Sequence, residues 1–545
     1  MKSQPELQFQ QHICDELLRR CKGDTLKYTA LEQDETWEDH RMVTRRSFVG
    51  GALAFGAVGG GRGATALPGD GRACSPLPAA MAEDGTTPGR DAGAASPHLS
   101  FGVVSDIHIG GKPDAAQQLE KVLRWFASER VDAVLCPGDI AHSGNIRELE
   151  AFAEVWHKVF QGKKEEVELM ISTGNHDIDA WGGRWKNFTE EQMLAQRFNY
   201  KNNLERTWRR LFNQKWELIW RRKVKGYTFI GAQWSSLKPP IEAYMRDVAA
   251  DATKRVPSDK PFFYCQHAHP RGTCHVGSSC VDGGESVRAL TPFANAVAIS
   301  GHSHFSISDE RTVWQGSFTS IGAGCLHEGF AGFDYDNVTA FWHPSYRKKF
   351  MCSLADPQSH GGDAKGGGCE IVEVYDDHLV VRRQSVAFMR PIGPAWTVPM
   401  PARRDGPLDF SARAARRKAD GAVPQFAAGA KIAAKFCPKG HALEGAAHKG
   451  EPCIYVTFPR AQTVKGSRVF DYTVEAVAGG MSAPAVRRIA AAGFAYPEED
   501  ADIPGEALFS AAEIPRDRPI RFTVTPRDCF GLAGKPLVSI CRVEA

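Results

Sequence analysis

The sequence predicts an α/β domain followed by a smaller all-β domain, and three observations carry that prediction. Between residues 98 and 390, short apolar runs alternate with helical stripes, the pattern of a sheet faced by helices. Residues of the metal-ligating kind stand just past several of those runs, so ligands should gather along one sheet edge. From residue 391 the composition shifts to Pro, Ala and Arg and then to regularly spaced strand-like runs.

Residues 1–66 read as a leader. Thr44-Arg45-Arg46-Ser47-Phe48-Val49 opens a Gly/Ala-rich apolar stretch to Gly61, and Ala64-Thr65-Ala66 supplies small residues for cleavage. That order is the pattern of a twin-arginine signal peptide, which predicts an exported protein and the twin-arginine machinery as partner. The stretch of about 14 residues falls short of the roughly 20 that a membrane span needs, so no transmembrane segment is expected in the mature protein. Residues 1–41 are an unusual prelude to a signal, and Met42 is an alternative start. Residues 67–97, rich in Gly, Ala, Pro and Asp, read as a flexible linker.

The α/β domain should begin at residue 98. Phe101–Ser105, Val131–Cys136 and Val167–Ser172 read as buried strands. Between them Leu119, Val122, Leu123 and Phe126 share one helical face, as do Leu149, Phe152, Ala153 and Trp156, and both stripes read as core. Glu190–Val224 reads as helical, with Arg206, Arg209, Arg210, Lys215, Arg221, Arg222 and Lys223 on a solvated face. Gly226–Gln233, Phe262–Cys265 and Val313–Ile321 read as strands, and Glu370–Tyr375 with His378–Arg382 as a hairpin about Asp376-Asp377. Residues 331–368 read as a long polar surface loop. In residues 391–545 the clearest strands are Cys453–Phe458, Phe470–Val477, Ile520–Thr525 and Leu537–Val543, the pattern of a small fibronectin type III-like sandwich. No catalytic cluster stands out there, and a structural role is expected.

Composition fits a folded chain of two or three domains: 545 residues, 42% hydrophobic, 24% charged, formal net charge +3. That balance is too even for a nucleic-acid-binding domain. Of 14 cysteines, Cys14 and Cys21 fall in the leader, and the remaining even number permits disulfides in an exported chain. Cys274 and Cys280 are the expected local pair. Cys-x-x-Cys spacing is absent, which argues against a cysteine-based zinc site.

Five motifs occur in order: Asp106-Ile107-His108, Gly138-Asp139, Gly174-Asn175-His176-Asp177, His267, and Gly301-His302-Ser303-His304. Two ions held about 3.5–4 Å apart need a bridging carboxylate, with imidazole, carboxylate and amide groups completing each shell. Asp106 with His108, and His302 with His304, are spaced to project to one side of extended chain. The glycines before Asp139, Asn175 and His302 are expected to let the chain turn sharply there. Each motif alone is weak, whereas the ordered set is specific.

Together these motifs resemble the calcineurin-like metallophosphoesterase family over roughly residues 98–390. The resemblance implies a four-layer fold, a β-sandwich core flanked by helices. It implies two divalent or trivalent ions (manganese, iron or zinc), the first on Asp106, His108, Asp139 and His304 and the second on Asp139, Asn175, His267 and His302. It makes His176 the catalytic histidine that is not a ligand. Either His267 or His269 can supply the fourth motif; His267 is favoured because it directly follows Phe262–Cys265, which leaves His269 a substrate-side candidate or a surface-loop histidine. Arg271 is a candidate for a phosphate oxygen. His142 stands where purple acid phosphatases carry a tyrosine ligand and protein phosphatases an aspartate that orients the catalytic histidine; it is a candidate support for His176.

The expected activity is hydrolysis of phosphomonoesters or phosphodiesters outside the cytoplasmic membrane, in the envelope or secreted. A metal-bound hydroxide would attack phosphorus and His176 would assist the leaving group. The alternative is a catalytically weak cell-surface binding protein with a structural metal site.

Overall fold

A computed structural model describes residues 96–160, 167–179, 185–235, 239–274, 280–327, 367–403, 408, 410–441, 450–491, 493–494 and 502–543. The leader and signal, nearly all of the linker, and residues 331–366 of the expected long loop lie outside the described residues. Among the described residues no helix is long and apolar enough to cross a membrane.

The elements follow one another as β1 (Leu99–Val103), α1 (Ala115–Ser128), β2 (Ala133–Cys136), α2 (Ile146–Val159), β3 (Glu168–Ile171), α3 (Asn175–Ile178), α4 (Glu190–Gln196) and α5 (Asn203–Phe212). Next come β4 (Ile219–Val224), β5 (Tyr227–Ala232), α6 (Ile241–Ala250), β6 (Phe262–Cys265), α7 (Glu285–Leu290), β7 (Ala296–Ser300), β8 (Val313–Gln315) and β9 (Thr319–Gly322). The strands β10 (Gly368–Val374), β11 (His378–Ser385) and β12 (Trp396–Pro399) complete the α/β part.

They form two six-stranded mixed sheets, ordered β12-β11-β10-β1-β2-β3 and β4-β5-β6-β7-β9-β8. Strands β1, β2 and β3 run parallel, as do β5, β6, β7 and β9. One core lies between the sheets, with Phe101, Val103 and Val372 meeting Phe229, Phe263 and Val297. The predicted stripes of α1 and α2 bury against the outer face of the first sheet, while α6 and α7 cover the second with Met245, Val248 and Leu290. Each such side chain contributes about 1.5–3 kcal/mol when fully buried. This is the expected four-layer arrangement, and it explains why the strands read as unbroken apolar runs: both faces are covered.

Three local expectations change. Residues 219–224 are strand rather than helix, because Lys225 (φ 47°) and Gly226 (φ 83°) make a tight left-handed turn that pairs β4 with β5. The basic residues are thereby split between helix and strand, and several sit in ion pairs such as Arg210–Glu150 at 2.7 Å and Arg209–Glu205 at 3.1 Å. Residues 313–321 fold as two antiparallel strands, with Gly316 at the turn between them. Cys274 and Cys280 do not pair with each other: their thiols face the carbonyls of Thr312 and His302.

The first sheet runs on past residue 390 to β12. Helix α8 (Phe410–Asp420) leads into β13 (Ala433–Cys437), β14 (Cys453–Phe458), β15 (Asp471–Ala478), β16 (Ala485–Ala490), β17 (Gly505–Ser510), β18 (Ile520–Arg527) and β19 (Leu537–Cys541). These make antiparallel sheets ordered β13-β14-β17 and β16-β15-β18-β19 around one apolar core.

Candidate metal centre

Every motif residue lies just beyond the C-terminal end of a parallel strand: Asp106 and His108 after β1, Asp139 after β2, Asn175 and His176 in the short helix α3 after β3, His267 after β6, His302 and His304 after β7. Main-chain hydrogen bonds tie neighbouring loops together. Asp106 N donates to Gly138 O (3.1 Å), Ile107 N to Asp139 O (2.8 Å) and Gly301 N to His267 O (3.0 Å).

The ligand pairs do not sit in extended chain. Asp106 (φ 53°), His108 (49°), Asp139 (52°), His302 (69°) and His304 (53°) all occupy the left-handed region. Non-glycine residues rarely stay there unless their surroundings over-determine the conformation. The glycines also differ in purpose. Gly138 has positive φ (108°) and serves a turn, whereas Gly174 and Gly301 provide space. A Cβ on Gly174 would stand 2.1 Å from Asp139 Oδ1, and one on Gly301 2.4 Å from Asp106 Oδ2.

Among the described residues two donor clusters contain a carboxylate: Asp106, His108 and His304; and Asp139, His267 and His302. The ligand atoms within each cluster lie within 4.8 Å of one another. In the first, His304 Nε2 is 3.1 Å from both Asp106 Oδ1 and His108 Nε2. In the second, His267 Nε2 is 3.2 Å from Asp139 Oδ2 and 3.1 Å from Asn175 Oδ1. Asp139 Oδ2 also lies 3.8 Å from His108 Nε2, so this one oxygen stands between the clusters.

The charge balance fits cations. Burial holds His108 well below its usual pKa and takes His302 down to about 4, which keeps both imidazoles neutral and their lone pairs available. Burial also opposes charge on His267, but the Asp139 carboxylate and its hydrogen bond carry that ring up to about 9. The Nδ1–H of His267 donates to Pro137 O at 2.8 Å, so Nε2 alone faces the carboxylates. Without a proton or another cation, its lone pair would oppose them. Burial likewise works against the Asp106 carboxylate, yet His304 and His267 hold its pKa at about 2.

His176 is positioned by main chain. Its Nδ1–H donates to the His142 carbonyl at 2.7 Å, which leaves Nε2 4.0 Å from Asp139 Oδ2. His142 therefore orients His176 through its backbone, while its side chain packs beside the rings of His108 and His176 at centroid distances of 5.5 and 5.2 Å. His269 is buried, neither in a surface loop nor at an open face, and its Nε2 meets Ser303 Oγ at 3.1 Å, so it braces the loop between His302 and His304. Arg271 is exposed and its Nε donates to the Asp282 carbonyl (3.1 Å), a local loop contact.

Asp177 had no assigned role in the motif, and the structure supplies one. Its carboxylate accepts from Gly174 N (2.8 Å), Ala141 N (2.7 Å) and Ile140 N (3.4 Å), stapling the loop after β3 to the loop after β2. Asp177→Ala would leave these buried donors unsatisfied, each worth about 1–3 kcal/mol. The expected result is a loss of about 3 kcal/mol or more in urea unfolding; an unchanged midpoint would refute the staple.

Residues 99–306 match the family model described as calcineurin-like phosphoesterase. They form a calcineurin-like phosphoesterase domain. The family is one of hydrolases acting on phosphoester bonds, and both donor clusters fall within the matched segment. A curated protein of Ruthia magnifica, a probable cyclic nucleotide phosphodiesterase, is 29% identical over 85 residues, 15% of this chain. The chain spans 34% of that relative's length. Among solved structures, a dimetal phosphatase from Danio rerio aligns at 11% identity and TM-score 0.33, over 56% of this chain and 99% of the other. A 5'-nucleotidase precursor from Thermus thermophilus aligns at 13% identity and TM-score 0.26, over 70% and 75%.

Proposed function

We propose that this protein is an exported, dinuclear metal-dependent phosphoesterase. The observation that carries the reading is the placement of Asp139 Oδ2 between two donor clusters, buried but for the half-buried His302, the position a carboxylate shared by two ions must occupy. Asp106, His108, Asp139 and His304 would hold one ion, and Asp139, Asn175, His267 and His302 the other. Manganese, iron or zinc suits nitrogen and oxygen donors of this kind. Bound ions supply positive charge for the phosphoryl oxygens and lower the pKa of coordinated water.

The chain's own residues do the rest. His176 is kept in the tautomer with Nδ1 protonated, so Nε2 is the atom able to carry a proton to the departing alcohol. Asp139 fixes the His176 backbone as well, since its Oδ1 accepts His176 N at 2.9 Å. Export rests on the twin-arginine pattern of residues 44–66.

The test is hydrolysis of an activated phosphodiester and an activated phosphomonoester by metal-stripped protein reloaded with manganese, iron or zinc. The curated relative's name makes a cyclic nucleotide the first natural diester to try. Turnover should return with metal, and His176→Ala should lower kcat about 10²–10⁴-fold. Stoichiometric metal without turnover under any loading would favour the binding-protein reading.

A further inference from the structure

The loop between the last ligand pair and β8 is unusual in that residues 303–312 are all buried and none lies in one of the strands. A buried loop must satisfy its backbone groups without a ladder. Part of that is internal, with Asp309 N donating to Ser306 O at 2.9 Å and Thr312 N to Asp309 O at 3.0 Å. Arginines take other carbonyls: Arg383 on β11 donates to Ile307 O (3.0 Å), and Arg413 on α8 to Glu310 O (2.7 Å) and Val313 O (3.3 Å).

Glu310 is the joint. Its buried carboxylate is bound by Arg413 at 2.6 Å and by Arg417, one oxygen to each. Burial opposes its charge, but the two guanidinium groups hold its pKa below the usual value. Arg417 passes the contact on to Asp528 at 3.1 Å. Asp528 is itself fixed by Phe530 N (3.0 Å), Leu532 N (2.9 Å) and Ser467 Oγ (3.2 Å) of the C-terminal domain. The Phe530 ring lies 5.3 and 5.2 Å from the two guanidinium groups, and Arg311 of the loop sits 4.7 Å over Phe470.

We infer that the C-terminal β-domain is part of the metal-site scaffold: through Arg413 and Arg417 clamped on Glu310, it holds the loop that presents His302 and His304. These three are positioning residues, and the inference rests on the dinuclear reading above. If the pairing is broken, buried charges lose a partner, which favours opening of the loop toward water to solvate them. His304 lies in the same buried run as Glu310, so the opening would reach the metal ligand.

The experiment uses the full chain. Arg417→Leu, Glu310→Gln and the conservative Arg417→Lys are compared with Val524→Ala, a cavity in the C-terminal core that leaves the clamp intact. The readouts are metal per chain after gel filtration and the rate of manganese or zinc release to a chelator, with circular dichroism to confirm folding. Arg417→Leu and Glu310→Gln should release metal about 10–100-fold faster, the usual effect of losing a partner behind a ligand. Arg417→Lys should recover part of the loss, and Val524→Ala should release at the wild-type rate. Wild-type release rates in both clamp variants, or equal acceleration in Val524→Ala, would overturn the inference while leaving the dinuclear reading intact. Wild-type protein that binds no stoichiometric metal would overturn both.

Discussion

Asp139→Asn is expected to remove at least one ion and to lower kcat/KM by more than about 10³-fold, since loss of a single preorganised electrostatic group already costs about 10²–10³. The substitution is nearly isosteric, and asparagine tolerates the left-handed backbone at φ 52°. Its amide oxygen can still accept from His176 N, so the backbone anchor of His176 survives. What disappears is the negative charge that faces His267 Nε2 at 3.2 Å and His108 Nε2 at 3.8 Å. Metal content by mass spectrometry and turnover of an activated ester check the prediction together. Two ions retained, with activity within tenfold of wild type, would show that Asp139 does not join the clusters.

Glu370→Gln should raise stability at alkaline pH and leave it unchanged in acid. Glu370 lies in β10 opposite Val103 and Arg383, fully buried, and neither carboxylate oxygen has a hydrogen-bond partner among the described residues. Arg383 instead directs its guanidinium at the carbonyls of Ile307 and Pro394 and stacks over Trp396 at 3.7 Å. Burial therefore dominates and raises the Glu370 pKa from 4.5 to about 8, with Arg383 offsetting only part. Between those values the folded chain keeps a proton that the unfolded chain gives up. Stability must then fall as pH rises through the window, and the full cost is present above about pH 8. A gap of that size is worth about 5 kcal/mol. Glutamine removes the titration, so the difference in unfolding free energy between variant and wild type should grow from pH 4.5 to pH 8 and then level off. Metal loss at low pH affects both proteins alike and cancels. A difference independent of pH would refute the assignment.

The parts of the site that could be read from sequence were those in which a candidate ligand soon follows a buried strand. Asp106, Asp139, Asn175 and His267 each come soon after such a run, and the structure gathers them with His108, His302 and His304. The preference for His267 over His269 rested on strand position; in the structure the first ring faces Asp139 and the second Ser303. Backbone conformation was not legible, because five left-handed ligand residues leave no periodic mark in the chain. Gly174 and Gly301 looked like turn residues, whereas the collisions that exclude a side chain come from Asp139 and Asp106, both distant in sequence. The support that His142 gives His176 uses a carbonyl, which every residue possesses. Arg413 and Arg417 lie in a basic, alanine-rich stretch that signalled only a change in composition, since their partner Glu310 is set by the tertiary fold.

Both clusters that contain a carboxylate take members from both halves of the sandwich. Asp106 and His108 extend from the first sheet to meet His304 from the second, and Asp139 extends from the first to meet His267 and His302. An ion in either cluster would therefore act mechanically as a rivet across the seam between the sheets. Sliding one sheet against the other would pull ligands off both rivets together, so the free energy of metal binding would resist shear of the whole sandwich as well as serve chemistry at its rim.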